Sequence, residues 1–222
     1  MMGPASRWSL VLLLAIAAGA GAWLATRSLL APDRPAASAL RAPAPVAQPD
    51  ASGMPPLPVI PDRRPEVTLA DRDGKLRSLS EWNGKPQVIN FWATWCAPCR
   101  REIPMLNALA SDGAWPGIAL IGVAIDFRED VLEYLEETPI QYPVLIGEQD
   151  GLEASRAFGM ASLGLPYTVF VDSRGRIVTI HLGELHRPQA DAILSVVQAL
   201  DAGKIDMAEA KARIKSEVPK IG

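Results

Sequence analysis

The sequence predicts an α/β fold in which helices cover both faces of a mixed central sheet. Two apolar runs, residues 88–93 and 118–125, have the length and composition of buried strands, and a helical pattern separates them. Strand, helix and strand in this order indicate a parallel pair. Two later strand-like segments, residues 166–172 and 177–182, are joined by a Ser-Arg-Gly turn and indicate an antiparallel hairpin.

Four further segments complete the predicted sheet and its layers of helices. Residues 66–70 and 75–79 flank an Asp-Arg-Asp-Gly turn and predict an N-terminal hairpin. Residues 130–158 contain a helix, a short strand and a second helix. The helix after the first buried strand takes its apolar face from Ile103, Leu106 and Ala110. A last amphipathic helix is built on Ala190, Ile193, Leu194 and Val197, and ends at Gly203.

Both cysteines of the chain lie where the first buried strand gives way to this helix. Pro98, between Cys96 and Cys99, suits the first helical turn because it has no N–H to leave unpaired. A helix N-terminus stabilises anions, and a Cys-x-x-Cys motif there lowers a thiol pKa from about 8.5 to about 3.5–7.5. We therefore expect Cys96 to be the attacking thiolate, and Cys99, the more buried sulfur, to resolve the mixed disulfide.

A structural disulfide and half of a zinc site are the alternatives for this pair. A disulfide that closes so short a loop adds little stability. A zinc site would need a second pair of ligands, for which the chain offers only His181 and His186. Redox chemistry is favoured, and we expect neither a metal nor another cofactor.

The segment Phe-Trp-Ala-Thr-Trp-Cys-Ala-Pro-Cys-Arg at residues 91–100 resembles the active site of the thioredoxin superfamily. Asn90 and the sequence Glu-Ile-Pro at residues 102–104 resemble the membrane-anchored TlpA- and ResA-like thiol:disulfide reductases. The resemblance extends over residues 65–203. It implies a thioredoxin-like fold with an N-terminal β-hairpin and a central insertion, and it marks Trp95 and Pro98 as supporting residues of the dithiol.

The resemblance also implies a role for Pro166, since a proline at this place in thioredoxin-like proteins follows a cis peptide bond and faces the dithiol. Tyr167 departs from the small or hydroxylic residue expected beside it. Asn90 stands where thioredoxins have a buried aspartate, and an amide cannot take the proton of Cys99. Glu102, one turn after Cys99, is the local candidate for that task, although this position also allows it to point to solvent.

Two other acidic residues, Asp126 and Glu148, follow predicted strands and are further candidates for proton transfer, but capping or solvation is favoured for both. The domain as a whole has no basic face. From residue 65 onward the 16 Lys and Arg are outnumbered by 22 Asp and Glu, a net charge of −6. A nucleic-acid partner is therefore not expected.

The apolar character of the N-terminal segment predicts that the protein is exported. Residues 8–25 form an uncharged apolar run close to the length of a membrane-spanning helix, although small-residue motifs near residues 18–22 also allow cleavage by signal peptidase. Residues 1–27 are thus a signal-anchor, the favoured interpretation, or a signal peptide. Residues 28–64 are a Pro- and Ala-rich linker. The domain at 65–203 is followed by a C-terminal helical tail, residues 204–222, in which solvation is favoured over docking through Ile214 and Val218.

The expected function is that of an exported, membrane-tethered thiol:disulfide oxidoreductase on the periplasmic face of the inner membrane, or soluble in the periplasm after cleavage. The resemblance implies a reductase of protein disulfides that is reloaded by a membrane electron donor of the DsbD or CcdA kind. Its substrates would belong to cytochrome c biogenesis or copper-site assembly.

Three other functions compete with this expectation. A DsbA-like disulfide oxidase would carry the same two cysteines at a higher potential. A copper-binding assembly module of the related kind has three residues between its cysteines, whereas this chain has two. A peroxidase of the related peroxiredoxin kind needs a threonine three residues before the reactive cysteine, where this chain has Ala93.

Overall fold

The computed structural model describes residues 59–160 and 164–218. The chain separates into two units, Met1–Pro56 and Leu57–Gly222, and every described element belongs to the second. The predicted signal-anchor and most of the predicted linker lie outside the described residues. Within the described ranges, no helix combines the length and apolar character needed to span a bilayer.

One mixed sheet forms the centre of the domain. Its strands are β1 (Thr68–Asp71), β2 (Leu76–Ser78), β3 (Gln87–Trp92), β4 (Ala119–Ile125), β5 (Val144–Gly147), β6 (Tyr167–Val171) and β7 (Ile177–Leu182). They are ordered β2-β1-β5-β4-β3-β6-β7. The pairs β3–β4 and β4–β5 are parallel, and the other neighbours are antiparallel. The parallel pair and both hairpins predicted from the sequence are confirmed.

Helices pack on both faces of this sheet, as predicted. In the described ranges they are a 3₁₀ helix (Leu79–Trp82), α1 (Ala97–Ser111), α2 (Arg128–Glu137), α3 (Gln149–Ala157), α4 (Arg187–Asp201) and α5 (Met207–Glu217). Residues of α1, α2, α4 and α5 join one apolar cluster, and residues of α3 join another. Along β3, Val88 and Trp92 belong to the first cluster, whereas Ile89 and Phe91 belong to the second. The two clusters therefore lie on opposite faces, because successive side chains of a strand alternate.

The buried face of α1 differs from the predicted one. Ile103 and Leu106 are buried as expected, but Ala110 is exposed and Leu109 is buried in its place. Glu102 is also buried and belongs to the same stripe of the helix. Two of the three predicted inward positions are therefore right, and the third lies one residue earlier in the helix than predicted.

The sequence favours a solvated C-terminal tail, and this prediction is wrong for the part of the tail that the structure describes. Ala210 of α5 is completely buried, and Ile214 and Val218 pack against the main apolar cluster. Asp206 caps the helix by accepting a hydrogen bond of 2.8 Å from the backbone N–H of Glu209. One of the residues through which α5 docks is only an alanine. The segment therefore has little apolar character from which its docking could be predicted.

The last residues of the predicted linker are held against the edge of the sheet. The N–H of Ile177 donates to the carbonyl of Asp62, and the N–H of Arg64 donates to the carbonyl of Gly175, both at 2.9 Å. These contacts lie at the start of β7, which is antiparallel to β6, and β6 is antiparallel to β3. The chain therefore enters the domain at the end of the sheet remote from the carboxyl end of β3, where the cysteines follow.

Candidate active site

The two cysteines are joined in a disulfide at the N-terminus of α1. Cys96 is the N-cap residue, and its Sγ accepts a hydrogen bond of 3.3 Å from the backbone N–H of Cys99. Pro98 lies in the first turn of the helix, where its missing N–H leaves no donor unpaired. The helix begins here because Cys96 has an extended backbone and Pro98 fixes a helical φ. The Cys96 sulfur thus lies where helix N–H groups stabilise a thiolate.

The two cysteines differ in their access to solvent. Cys96 retains 5% of its surface and Cys99 retains none, so the second cysteine is the more buried, as the sequence predicts. Trp95, directly before Cys96, is 61% exposed. A partner that reaches this edge of the sheet therefore meets Trp95 and Cys96 before it meets Cys99.

Glu102 lies on α1 three residues after Cys99, and only 1% of it is exposed. The possibility that it points to solvent is therefore wrong. Its Oε1 accepts a hydrogen bond of 2.7 Å from the side-chain amide of Asn90, and its Oε2 accepts one of 2.7 Å from the backbone N–H of Leu185. Both carboxylate oxygens are thus satisfied by donors from outside the helix, one on β3 and one just before α4.

These surroundings move the pKa of Glu102 to about 7. Burial is the main cause, because it disfavours the charged carboxylate, and the nearby Glu184 adds to the rise. The hydrogen bonds from Leu185 and Asn90 oppose the rise because they stabilise the carboxylate. The outcome is a buried acid that exchanges its proton near neutral pH, one helical turn from the buried sulfur.

Asn90, on β3, links Glu102 to the neighbouring strand β6. Its side-chain N–H₂ also donates to Thr168 Oγ1 at 3.0 Å, in register with the β3–β6 pair of Asn90 and Thr168. Its Oδ1 is buried and has no hydrogen-bond partner among the described residues. Asn90 therefore holds the carboxylate form of Glu102 and retains one acceptor that is free to bind a proton-bearing oxygen.

Pro166 precedes β6, and the Leu165–Pro166 peptide bond is cis, as the family resemblance implies. Tyr167 pairs with Phe91 near the carboxyl end of β3, so Pro166 lies at the level of the strand end from which the cysteine loop departs. The unexpected Tyr167 faces away from that loop. It is completely buried, stacks on Phe91 at 4.5 Å and donates a hydrogen bond of 2.9 Å to Ser155 Oγ.

Asp126, at the carboxyl end of β4, fixes the loop before the cysteines. Its Oδ2 accepts hydrogen bonds from the backbone N–H of Thr94 at 2.9 Å and from the Thr94 hydroxyl at 2.6 Å. Glu148, the other acid considered for proton transfer, is exposed at the start of α3. The capping role favoured for Asp126 is therefore confirmed. The segment that it caps is the loop after β3, and the sequence does not identify this partner.

Comparison with known proteins agrees with this geometry. Residues 61–194 match the Redoxin family. The thiol-disulfide oxidoreductase ResA of Geobacillus thermodenitrificans is 30% identical over 122 residues, which cover 54% of this chain and 68% of the relative. A ResA of Bacillus cereus is 29% identical over 135 residues, which cover 60% of this chain and 75% of the relative.

Two solved structures have a similar fold. One, from Chlorobium tepidum, is assigned as a thiol:disulfide interchange protein DsbE; it is 25% identical, with a TM-score of 0.54, and the match covers 63% of this chain and 95% of that chain. The exposed lipoprotein thioredoxin of Streptococcus pneumoniae is also 25% identical, with a TM-score of 0.52 and coverage of 61% and 100%.

The fold and the disulfide at the helix N-terminus define a thiol-disulfide oxidoreductase with a thioredoxin-like domain. The chain belongs to the Redoxin family and, within the thioredoxin superfamily, to the ResA- and TlpA-like proteins. Its redox pair is Cys96 and Cys99.

Proposed function

We propose that this protein is an exported, membrane-tethered reductase of protein disulfides, in which Cys96 attacks the substrate, Cys99 resolves the mixed disulfide and Glu102 accepts the proton of Cys99. The observation that carries this proposal is the buried carboxyl group of Glu102, which lies one helical turn beyond Cys99 and has a pKa of about 7.

In the reduced protein, the Cys96 thiolate attacks one sulfur of a substrate disulfide. A bond forms between the two sulfurs, the substrate disulfide breaks, and the first substrate sulfur leaves as a thiolate. Cys99 then loses its proton and attacks Cys96 Sγ, which breaks the mixed disulfide and releases the second substrate thiolate. Two electrons pass from the protein to the substrate, and the protein is left with the Cys96–Cys99 disulfide seen in the structure.

The second step needs a proton acceptor near Cys99, because this sulfur is buried and the thiol is a poor nucleophile. Glu102 with a pKa of about 7 is matched to this task near neutral pH. When Glu102 takes the proton, its new O–H needs an acceptor. Rotation of the Asn90 amide would present Oδ1, which has no other partner among the described residues.

The same carboxylate supports the reducing direction. A strong oxidant such as DsbA owes its high potential to the stability of its reduced form. A buried negative charge one turn from Cys99 destabilises thiolates there and so favours the disulfide of the protein itself. The two arginines after Cys99 do not oppose this charge, since Arg100 lies over the ring of Tyr134 and Arg101 pairs with Glu184.

The location and partners rest on the sequence and the relatives. An anchor at residues 1–27 and a spacer at residues 28–64 would hold the domain at the periplasmic face of the inner membrane, where a membrane electron donor can reload it at a high effective concentration. An exposed lipoprotein is among the structural relatives. Protein disulfides in cytochrome c biogenesis or metal-site assembly are the proposed substrates, and the Cys96–Cys99 pair needs no cofactor for this exchange.

Trapping of the mixed disulfide tests the assigned roles. The Cys99→Ser variant should accumulate a disulfide-linked complex with an added protein disulfide substrate, because nothing resolves the bond to Cys96. The Cys96→Ser variant is the matched control and should accumulate none. Equal trapping by both variants would contradict the proposed order of attack.

A further inference from the structure

Two aromatic side chains at the active-site edge of the sheet are exposed to solvent instead of being packed into the core. Trp95 and Phe127 are each 61% exposed, and every other aromatic side chain in the described part of the chain is at least partly buried. Exposed apolar surface of this kind is typical of interaction sites when it is contiguous and lies beside a functional group. Here that group is the disulfide, directly after Trp95.

The two aromatics belong to loops that the structure ties together. Trp92 and Ala124 are paired at the ends of the parallel strands β3 and β4, and Trp95 and Phe127 each follow three residues later. Asp126 joins the loops through its hydrogen bonds to Thr94. The aromatic residues are therefore held on neighbouring loops at one edge of the sheet.

Phe127 also breaks a local rule of helix formation. It is the N-cap residue of α2 and makes no side-chain hydrogen bond to the first turn. Ser, Thr, Asp and Asn are strongly preferred at this position because their oxygen atoms accept a hydrogen bond from an unpaired N–H. Positions at which a sequence departs from such a rule without a structural gain are often functional ones.

The charges around Phe127 indicate what binds there. Glu129 and Asp130 in the first turn of α2 are exposed, and neither side chain makes a hydrogen bond or ion pair within the described residues. Arg128 is directed elsewhere, with its guanidinium donating to the backbone carbonyls of Asp71 and Arg72 at 2.8 and 2.7 Å. The surface around Phe127 is thus aromatic with a negative margin, which is complementary to a partner that carries apolar and basic side chains.

We propose that Trp95 and Phe127 form a docking surface for an unfolded segment of the substrate protein, which places an apolar side chain against the two rings and a Lys or Arg next to Glu129 and Asp130. The inference rests on the proposed function, because it takes a protein disulfide as the substrate. Beyond the proposed function, it predicts which residues are preferred next to the substrate cysteine. Apolar side chains are more often buried in a folded protein than in an unfolded one, so the surface favours cysteines in unfolded chains.

The rate of mixed-disulfide formation by the Cys99→Ser protein tests the docking surface, whichever direction the protein works in cells. The probes are three disulfide-linked peptides, with Leu and Lys, Leu and Glu, or Ser and Ser beside the cysteine, and the small molecule 2-hydroxyethyl disulfide. We expect the Leu-Lys peptide to react about tenfold faster than the Ser-Ser peptide, and its advantage over Leu-Glu to shrink as salt is added.

Substitution of Phe127 by serine makes this test sharper, because serine is a good N-cap. The Phe127→Ser variant should have a higher melting temperature and a ratio of Leu-Lys to small-disulfide rates about tenfold lower. Leu76→Ala, which truncates a side chain that is 69% exposed on β2, is the matched control and should leave the ratio unchanged. An unchanged ratio in Phe127→Ser, or equal rates for the three peptides, would overturn the docking surface. A high reduction potential would instead contradict the reductase assignment and leave the docking result standing.

Discussion

The side-chain amide of Asn90 donates a hydrogen bond of 2.7 Å to the carboxylate of Glu102 in the buried interior behind the disulfide. Asn90 is on β3, which leads to Cys96, and Glu102 is on α1, which carries Cys99. The contact thus joins the two elements that hold the redox pair. It combines an amide that cannot take a proton with an acid that can, and the acid titrates near neutral pH because it is buried.

Replacement of Glu102 by glutamine should slow the resolution of the mixed disulfide by about 100-fold at pH 7, the lower end of the range for general acid–base catalysis. Glutamine keeps the size and one acceptor oxygen but cannot take the proton. Stopped-flow measurement of the second exchange step over pH 5 to 9 checks this. The wild type should show an inflection near pH 7 that Glu102→Gln lacks; the same inflection in both proteins would exclude Glu102 as the acceptor.

The raised pKa of Glu102 also predicts how the stability of the oxidised protein depends on pH. The folded state keeps a proton on Glu102 up to about pH 7, whereas the unfolded chain loses it near 4.5. The contribution of this group to the free energy of unfolding is therefore greatest below pH 4.5. It falls as the pH rises to 7, by about 3 kcal/mol, and is constant above.

Urea unfolding of wild type and Glu102→Gln at pH 4.5, 6 and 8 isolates this contribution, since the other titrating groups are common to both proteins. The difference in unfolding free energy between the two should change by about 3 kcal/mol in this range, with the wild type losing stability relative to the variant as the pH rises. A difference that does not vary with pH would contradict the burial of a titrating Glu102.

Replacement of Asn90 by alanine removes one of the two donors that stabilise the Glu102 carboxylate. The pKa of Glu102 should then rise above its value of about 7, because burial is opposed only by the N–H of Leu185. Carbon-detected NMR titration of the glutamate carboxyl groups measures this directly. A lower pKa in Asn90→Ala would mean that the amide does not stabilise the charged form.

Replacement of Asp126 by alanine should lower the free energy of unfolding by about 1–3 kcal/mol, because the backbone N–H and the hydroxyl of Thr94 lose their acceptor. Chemical denaturation of the oxidised protein measures the loss. Glu136→Ala, at an exposed position of α2, is the control and should stay within about 0.5 kcal/mol of the wild type. Equal effects of the two substitutions would contradict the role of Asp126 in fixing the cysteine loop.

The sheet and the redox pair could be predicted because their signals are local. Apolar runs bounded by turn residues indicated β3, β4 and the hairpins, and the two cysteines are three residues apart on one helix start. Glu102 was a candidate by its spacing from Cys99, yet its burial could not be predicted. The donor that holds its second oxygen is the N–H of Leu185, 83 residues away in the sequence.

Other features could not be predicted from the sequence, for related reasons. The buried contact of Ala210 offers too little apolar surface to distinguish a docked helix from a solvated one. The bond between Asp126 and Thr94 depends on the register of β3 and β4, which only the folded sheet defines. Tyr167 departs from the small or hydroxylic residue expected beside Pro166, and the alternation of side chains along β6 places it in the apolar cluster on the opposite face from the cysteines.

The reduction potential of the Cys96–Cys99 pair tests the proposed reductase activity most directly. Thioredoxin lies at about −270 mV and the oxidase DsbA at about −120 mV, a gap that corresponds to about 7 kcal/mol in a two-electron couple. Equilibration of the purified domain with glutathione buffers, followed by acid quenching and alkylation of the free thiols, gives the potential. The proposed function predicts a value below about −200 mV, on the side of thioredoxin. A value close to that of DsbA would contradict it and assign the protein to disulfide formation.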